Sequence, residues 1–208
     1  MDKNIFFDLD GTLIDSRQRL FQLFTSLTSQ NIISFDEYWT YKGSKESNAD
    51  ILKKRLNFSS DQVNTFILAW FKMIEDEQYL KKDSLFNDTI PSLEQLKSDA
   101  TLYIITARQF PDRVYKQMSW LGIDKYFKKI LVTEQKKTKA ELIKPFFTKG
   151  CSIIIGDTGE DIIAGKNLGM ITINVLTGFR NEEVLKTYSP DYIFSDLNAF
   201  CKAINGIL

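Results

Sequence analysis

Histidine is absent from all 208 residues of the sequence. That absence excludes catalytic triads and general bases built on histidine, together with histidine metal ligands. Only two cysteines occur, Cys151 and Cys201, and their number and spacing indicate neither a disulfide framework nor a thiolate metal site. Any chemistry must therefore use carboxylates, hydroxyls or amines.

An excess of charge of one sign is also missing, since Lys+Arg and Asp+Glu both count 27. This balance gives no indication of a nucleic-acid partner or of binding to an anionic membrane. No apolar run approaches the roughly 18 residues of a membrane span, and no signal segment opens the chain. We therefore expect a cytoplasmic protein, monomeric or homodimeric, with neither a nucleic-acid nor a membrane partner.

The most informative stretch is the apolar run Ile5-Phe6-Phe7, which ends in Asp8 and Asp10 and is followed by Gly11. Residues two apart in a strand point to the same face, so the two carboxylates begin as neighbours. Their repulsion raises one pKa unless a cation lies between them. The pattern indicates a reaction centre that uses a metal, although Asp-Gly also favours turns without any function.

The rest of the chain divides into two parts that differ in the spacing of their apolar residues. Residues 15–84 show helical spacing, with a capping box at Ser34–Glu37, a helix capped by Ser60 or Asp61, and no convincing strand. Strands and helices then alternate, which predicts an α/β fold with a parallel sheet covered on both faces. We expect a Rossmann-like core over 1–14 and 85–208 and an inserted helical cap over 15–84. The predicted strands are 4–8, 101–106, 130–133, 152–156, 171–176 and 191–194; the predicted core helices include 111–121, 139–147 and 161–168.

Polar residues follow several of these strands, where sites in parallel sheets usually lie. Thr106 ends one strand, Asp157 follows another, Asp161 comes four residues later, and Lys139 opens a helix. Carboxylates can hold Mg²⁺, while a lysine, a threonine hydroxyl and turn amides, such as that of Ala107, can bind phosphate oxygens. Together they indicate a phosphoryl-transfer site with an aspartate nucleophile.

These segments resemble motifs of the haloacid dehalogenase superfamily. Residues 8–13 (DLDGTL) match its first motif, 105–108 (ITAR) its second, and 156–161 (GDTGED) its fourth. The helical insertion resembles the C1-type cap of the phosphoglycolate-phosphatase-like subfamily. The resemblance covers nearly the whole chain and implies a phosphatase with a Rossmann-like core.

The resemblance also implies a role for each residue. Asp8 is expected to attack phosphorus and Asp10 to protonate the leaving alcohol and then activate water. Mg²⁺ is expected on the Asp8 carboxylate, the Asp10 carbonyl and Asp157. The phosphoryl group is expected on Thr106, Ala107 and Lys139, with Asp161 and Gly11 in supporting roles. Because the dehalogenase branch lacks an acid at the position of Asp10, its presence favours phosphate transfer over carbon–halogen cleavage.

Other assignments stay open on the sequence alone. Lys136 and Lys137 compete with Lys139 for the phosphate, and Asp161 could simply cap its helix. Arg108 and the cap loop with Lys42, Gly43 and Lys45 are candidates for substrate specificity, although surface loops have the same composition.

The leading function is a Mg²⁺-dependent phosphatase acting on a small phosphorylated metabolite. A phosphomutase acting on a sugar phosphate would use the same residues. A signalling receiver domain also carries a phosphorylated aspartate, but on a middle strand and without an insertion of this length. A binding protein without turnover is the remaining alternative, although such a protein would be expected to have lost Asp8 or Asp10.

Overall fold

The protein is described by a computed structural model that covers residues 3–28 and 33–207. Its main sheet has six strands, all paired in parallel, in the order β5-β4-β1-β6-β7-β8. These strands are β1 (Lys3–Phe7), β4 (Ala100–Thr106), β5 (Lys129–Val132), β6 (Ser152–Gly156), β7 (Ile171–Val175) and β8 (Tyr192–Phe194). The predicted α/β class is confirmed.

Helices cover both faces of this sheet because side chains alternate along each strand. Ile5 and Phe7 of β1 belong to one buried cluster, whereas Phe6 belongs to the cluster on the opposite face. The core helices are α6 (Thr89–Leu96), α7 (Pro111–Trp120), α8 (Lys139–Ile143), α9 (Gly159–Leu168), α10 (Glu182–Lys186) and α11 (Leu197–Ala203). Helix α8 is shorter than the predicted 139–147, because Pro145 has no backbone N–H with which to continue the helical hydrogen bonds.

Strand β1 lies in the middle of the sheet, between β4 and β6. Phe7 is the partner of Ile104 on β4 and of Ile155 on β6. The carboxyl ends of these three strands therefore meet at one edge, where the connections of a parallel sheet leave room for a site.

A helical segment, which we call the cap segment, lies between two short strands. The strands β2 (Ile14–Asp15) and β3 (Ser84–Leu85) form an antiparallel ribbon, so the expectation of no strand in this region was wrong at its two ends. Two-residue strands have no periodicity from which they could be predicted. The helices between them are α1 (Arg17–Leu27), α2 (Phe35–Gly43), α3 (Asn48–Asp50) with a π-helical turn (Ile51–Arg55), α4 (Ser60–Met73) and α5 (Glu77–Leu80).

The cap segment has a buried cluster of its own, built around Phe24, Tyr38 and Phe66. The predicted capping box at Ser34 and Glu37 is present. Helix α4 is capped by Ser59, and not by Ser60 or Asp61 as predicted, because Ser59 has the extended backbone that a cap requires. Within residues 3–28 and 33–207, every helix is too short or too polar to cross a bilayer.

Candidate active site

Three buried carboxylates meet at the carboxyl end of the sheet. Asp8 follows β1, Asp157 follows β6, and Asp161 lies in the first turn of α9. Each offers one oxygen that lies within 4.8 Å of the others. The pairing of β1 with β6 therefore brings together residues that are 149 or more positions apart in the chain.

This cluster fits a hard cation. Among the described residues, Asp157 Oδ1 is buried without a hydrogen-bond partner, while Oδ2 accepts from the Phe179 amide at 2.7 Å. Gly11 and Gly178 lie so close that a Cβ on either would meet Asp157 Oδ2 at 2.4 Å and 2.0 Å. The glycines and the Phe179 amide thus hold Oδ2, while the other oxygen, Oδ1, is left unpaired and matches the oxygen ligands preferred by divalent cations such as Mg²⁺.

Lys139 connects two of these carboxylates. Its Nζ donates to Asp8 Oδ1 and to Asp161 Oδ1, both at 2.6 Å. Lys139 opens α8 after a capping box formed by Thr138 and Glu141. Lys136, one of the two competing lysines, is exposed and pairs with Glu134 at 2.9 Å.

Lys137, the other competing lysine, is also exposed. Of the three lysines, Lys139 is therefore the one that contacts the carboxylate cluster.

The protonation of these groups is set by burial and by their mutual charges. Burial raises the pKa of Asp8 to about 7, against the opposing charge of Lys139. Burial and the negative charge of Asp8 raise the pKa of Asp157 well above its ordinary value. Burial lowers the pKa of Lys139, but Asp161 and Asp8 outweigh it and raise the pKa above its usual range. A bound cation would offset the excess of negative charge.

Asp161 is the third residue of α9, whose N-cap is Thr158. Its Oδ2 accepts from the Thr158 amide at 3.1 Å and from the Thr158 hydroxyl at 2.7 Å. Its other oxygen accepts from Lys139. The alternative that Asp161 is the N-cap itself was therefore wrong, and its contacts orient Lys139.

Asp10 lies beside this cluster but is held by arginines. Arg108 Nε donates to Asp10 Oδ2 at 2.5 Å, and Arg108 Nη2 donates to Oδ1 at 2.7 Å. Arg19 Nη2 also donates to Asp10 Oδ1. Burial raises the pKa of Asp10, but the charges of Arg108 and Arg19 outweigh it and hold the pKa well below its usual range. The carboxyl is therefore ionised in this arrangement.

Sequence reasoning missed Arg19 and the acidic residues behind it. Arg19 Nε lies 3.1 Å from Asp83 Oδ1, and Gln117 Nε2 donates to Asp83 Oδ2 at 2.7 Å. Glu75 accepts from the Gln109 amide at 2.7 Å. The sequence did contain a signal for Arg19. It stands four residues before Leu23, which places it on the same buried side of α1.

A cavity of about 230 Å³ opens between the sheet edge and the cap segment. From the core it is lined by six of the residues expected in the site, namely Asp8, Asp10, Thr106, Ala107, Arg108 and Lys139. The Thr106 side chain is buried at the end of β4. Reactive and phosphate-binding candidates that follow β1 and β4 or open α8 thus line one cavity.

The expected cap residues Lys42, Gly43 and Lys45 are not among the residues that line this cavity. Instead, the carbonyls of Lys42 and Gly43 accept from Arg180 Nη1 at 2.6 Å and from the Asn181 amide at 3.2 Å. Lys45 Nζ lies 4.8 Å from the ring centre of Tyr188. Lys42 and Gly43, which were predicted in a loop, are the last two residues of α2. The end of this helix and Lys45 therefore fasten the cap segment to the connection after β7.

The aromatic residues of α2 have two different contacts. Trp39 stacks on Phe179, with ring centres 5.3 Å apart and planes 22° apart. Because the Phe179 amide donates to Asp157, this stack joins the cap segment to the carboxylate cluster. The Tyr41 ring lies under the guanidinium of Arg55, at 4.8 Å, within the cap segment.

The parallel sheet, its acidic edge and the helical insertion define a haloacid dehalogenase-like protein. Residues 5–175 match the family model described as haloacid dehalogenase-like hydrolase, and the chain belongs to this family. The expected enzyme class, a hydrolase of this family, is confirmed.

Two named relatives are pyrophosphatases called PpaX. The protein from Bacillus velezensis is 22% identical over 206 residues, covering 93% of this chain and 92% of the relative. The protein from Listeria monocytogenes serotype 4b is 24% identical over 206 residues, with the same coverage. Among solved structures, a haloacid dehalogenase-like hydrolase from Streptococcus pneumoniae superposes with a TM-score of 0.80 at 24% identity, covering 100% of this chain and 99% of that chain. At that identity the superposition shows the fold alone.

Proposed function

We propose that this protein is a Mg²⁺-dependent phosphatase that hydrolyses a small phosphorylated metabolite through a phosphorylated Asp8. The observation that carries the proposal is the pair of 2.6 Å contacts from Lys139 Nζ to Asp8 and Asp161, beside the unpaired Asp157 Oδ1. A buried lysine and a cation site next to one carboxylate suit the binding of a phosphoryl group. The relatives named pyrophosphatase support phosphate release as the reaction.

Mg²⁺ would be held by the carboxylates of Asp8 and Asp157 and by the backbone carbonyl of Asp10. When bound, it would neutralise charge on the phosphoryl oxygens and on the buried carboxylates. The raised pKa of Asp8, about 7, supports a need for the metal. Without a cation, much of Asp8 would be protonated at neutral pH and unable to attack phosphorus.

In the first step, a carboxylate oxygen of Asp8 attacks phosphorus and the bond from phosphorus to the leaving oxygen breaks. Lys139 orients Asp8 and, with the Thr106 hydroxyl and the Ala107 amide, binds the phosphoryl oxygens. The leaving oxygen takes a proton from the Asp10 carboxyl. In the second step, water attacks phosphorus, Asp8 is released, and the proton of the water returns to Asp10.

Asp10 must change partners to donate a proton. Its carboxylate now accepts from Arg108 and Arg19, and both contacts oppose protonation. We infer that at least one guanidinium moves away from Asp10 when substrate is bound. Arg19 belongs to the cap segment, so a small shift of α1 is sufficient to change this contact.

We further propose that residues 15–84 act as a cap that excludes water from the reaction. Several contacts hold this segment over the sheet edge. Glu75 accepts from the amides of Gln109 and Phe110, at 2.7 Å and 3.3 Å. The stack of Trp39 on Phe179 is a second contact. The role of Lys42, Gly43 and Lys45 in substrate specificity stays a prediction.

The test is release of inorganic phosphate from an aryl phosphate and from small phosphorylated metabolites with Mg²⁺. Wild type is compared with Asp8→Asn and with the matched control Asp112→Asn, which changes an exposed carboxylate of α7. Asp8→Asn should reduce release to the background, and Asp112→Asn should leave it unchanged. Removal of Mg²⁺ by a chelator should also abolish release.

Three results would contradict the proposal. Equal rates for wild type and Asp8→Asn would remove Asp8 as the nucleophile. An isomerised sugar phosphate without free phosphate would indicate a phosphomutase. A single stable phosphorylation of Asp8 without repeated turnover would indicate a signalling module.

A further inference from the structure

Arg108 and Arg19 are the two arginines of the cavity, and both are buried. Arg108 stands in the loop after β4 with a side chain only 7% exposed, and Arg19 lies on α1 with a side chain 2% exposed. Both line the same cavity as Asp8 and Thr106. Buried guanidiniums keep their charge, so each needs an anionic partner.

The contacts of Arg108 leave one of its nitrogens unused. Nε and Nη2 bind Asp10, and Nη2 also donates to Gln117 Oε1 at 3.3 Å. Nη1 is buried and has no hydrogen-bond partner within the described ranges 3–28 and 33–207. A buried, charged donor without a partner is rare in native proteins unless a ligand or water satisfies it.

Asp83 does not fill this role. It lies 3.1 Å from Arg19 Nε and 3.6 Å from Arg108 Nη2, so its closer ion pair is with Arg19. Arg19 Nη1 donates to the carbonyl of Ile74 at 3.3 Å. Arg19 Nε is also buried without a hydrogen bond, but it takes part in the ion pair with Asp83. In Arg108 the nitrogen without a hydrogen bond is Nη1, while Nε and Nη2 bind Asp10.

The walls of the cavity limit what can occupy it. Six residues of the cap segment line it, and four of them are apolar: Leu20, Trp70, Phe71 and Ile74, beside Arg19 and Glu75. The four apolar side chains offer few partners to sugar hydroxyls. A volume of about 230 Å³ is also below the ~300–1,000 Å³ that is typical of drug-sized ligands. The space therefore favours a leaving group of few atoms.

On the basis of the proposed phosphatase function, we propose that Arg108 binds a second anionic group of the substrate. This oxyanion belongs to the leaving group and lies across the cavity from the phosphoryl group held by Lys139. It is either a second phosphate or a carboxylate, since the N–H donors of Nη1, the nitrogen that Asp10 and Gln117 leave unused, can bind an oxygen of either. Arg108 is then a specificity-determining residue, and Arg19 is a positioning residue that pairs with Asp83 and, until substrate binds, with Asp10.

The test compares substrates that differ only in the second anion. One pair is 2-phosphoglycolate and ethyl phosphate; the other is ethane-1,2-diol bisphosphate and 2-hydroxyethyl phosphate, so that both members of each pair are alkyl esters. The ratio of kcat/KM within each pair is measured with Mg²⁺ for wild type, Arg108→Met and the control Arg113→Met. Arg113 is a half-buried arginine of α7 that pairs with Asp76 at 3.0 Å. The ratio is used because loss of Arg108 also disturbs Asp10, which affects both members of a pair.

Wild type should prefer the substrate with the second anion in at least one pair, on the order of 10- to 100-fold, as expected for a hydrogen bond between charged groups. Arg108→Met should bring that ratio close to one, and Arg113→Met should leave it unchanged. The pair that shows the preference identifies the anion as carboxylate or phosphate. Arg108→Lys, which keeps a positive charge, should retain part of the preference and replaces the methionine variant if that variant does not fold.

Two outcomes would overturn the inference. Wild type that hydrolyses both members of each pair equally well, or a preference that persists in Arg108→Met, would show that Arg108 does not bind substrate while leaving the phosphatase function intact. Absence of phosphate release from all four compounds and from the aryl phosphate would instead remove the proposed function, and this inference with it.

Discussion

Arg108, at the end of the neighbouring strand, donates two hydrogen bonds to the carboxylate of Asp10. Its Nε lies 2.5 Å from Oδ2, and its Nη2 lies 2.7 Å from Oδ1. The contact spans 98 residues of sequence and joins the loop after β4 to the loop after β1. The two aspartates of the first motif therefore have different surroundings. Asp8 pairs with a lysine and has a raised pKa, whereas Asp10 pairs with two arginines and has a lowered pKa.

The first prediction concerns Asp10. Asp10→Asn should slow turnover by about 10²- to 10⁴-fold, because general acid–base catalysis typically contributes that much. Mg²⁺ affinity should change little, because the proposed ligand is the backbone carbonyl, which the substitution keeps. Steady-state rates and a metal titration of the same preparation measure both effects. Full activity in Asp10→Asn at neutral pH would contradict the acid–base role.

The second prediction concerns Asp157. Asp157→Ala should weaken Mg²⁺ binding, because it removes the oxygen that has no protein partner. The metal concentration that gives half-maximal activity should rise by at least about tenfold, in the range reported for loss of groups at metal sites. Asp99→Asn, which changes an exposed carboxylate before β4, is the control. An unchanged metal dependence in Asp157→Ala would show that the cation is held elsewhere.

The third prediction is that metal affinity depends on pH. The ligand carboxylates must be deprotonated to bind a cation, and burial raises the pKa of Asp8 to about 7 in the metal-free protein. Protons and metal therefore compete below pH 7, and binding tightens as pH rises through that value. For one displaced proton, affinity at pH 6 should be about tenfold weaker than at pH 8. Calorimetric titration measures the change, and equal affinity at both pH values would contradict the assignment.

The fourth prediction concerns stability and uses two arginines of α1. Arg19→Met should lower the free energy of unfolding by about 3–5 kcal/mol, because it leaves Asp10 and Asp83 buried with one partner fewer. Arg17→Met should cost at most about 1 kcal/mol, because its ion pair with Asp15 is on the surface, with the Arg17 side chain 40% exposed. Urea unfolding of both variants makes the comparison, and similar losses would mean that the buried pairs contribute no more than the exposed one.

The main sheet could be predicted because its strands are short apolar runs followed by turn residues. The predicted strand 101–106 is observed as Ala100–Thr106, and 152–156 is observed as Ser152–Gly156. The positions of Asp8, Thr106 and Asp157 at one edge follow from the rule that parallel strands end on the same side. That rule needs only the strand assignments, which apolar runs of this kind indicate well.

The parts that could not be predicted depend on contacts between distant residues. Sequence spacing does not reveal that Arg108 and Arg19 converge on Asp10, since the two arginines come from a loop and from the cap segment. Lys42 and Gly43 were expected in a loop that reads the substrate, but they end α2, where the Lys42 carbonyl accepts from Arg180. Only the packing of α2 on the core decides which way this end of the helix faces.

The sequence also could not decide which of several neighbouring residues of similar type takes a given role. Ser59, Ser60 and Asp61 are all good capping residues, and the backbone angles at Ser59 decide among them. Lys136, Lys137 and Lys139 have the same charge, but only Lys139 is placed by the first turn of α8 to contact Asp8. A shift of one or two residues changes the direction of a side chain completely, which composition does not encode.

The central claim is that Asp8 carries the phosphoryl group during turnover. Acid quenching of the Asp10→Asn variant during turnover of an aryl phosphate with Mg²⁺, followed by peptide mass analysis, tests this most directly. An aryl leaving group departs with little need of the Asp10 proton, whereas hydrolysis of the intermediate still lacks its base, so the intermediate should accumulate. We predict the added mass of one phosphoryl group on the peptide that contains Asp8, and none in a variant that also carries Asp8→Asn. Phosphate release without any adduct on Asp8, or an adduct on another residue, would contradict the account.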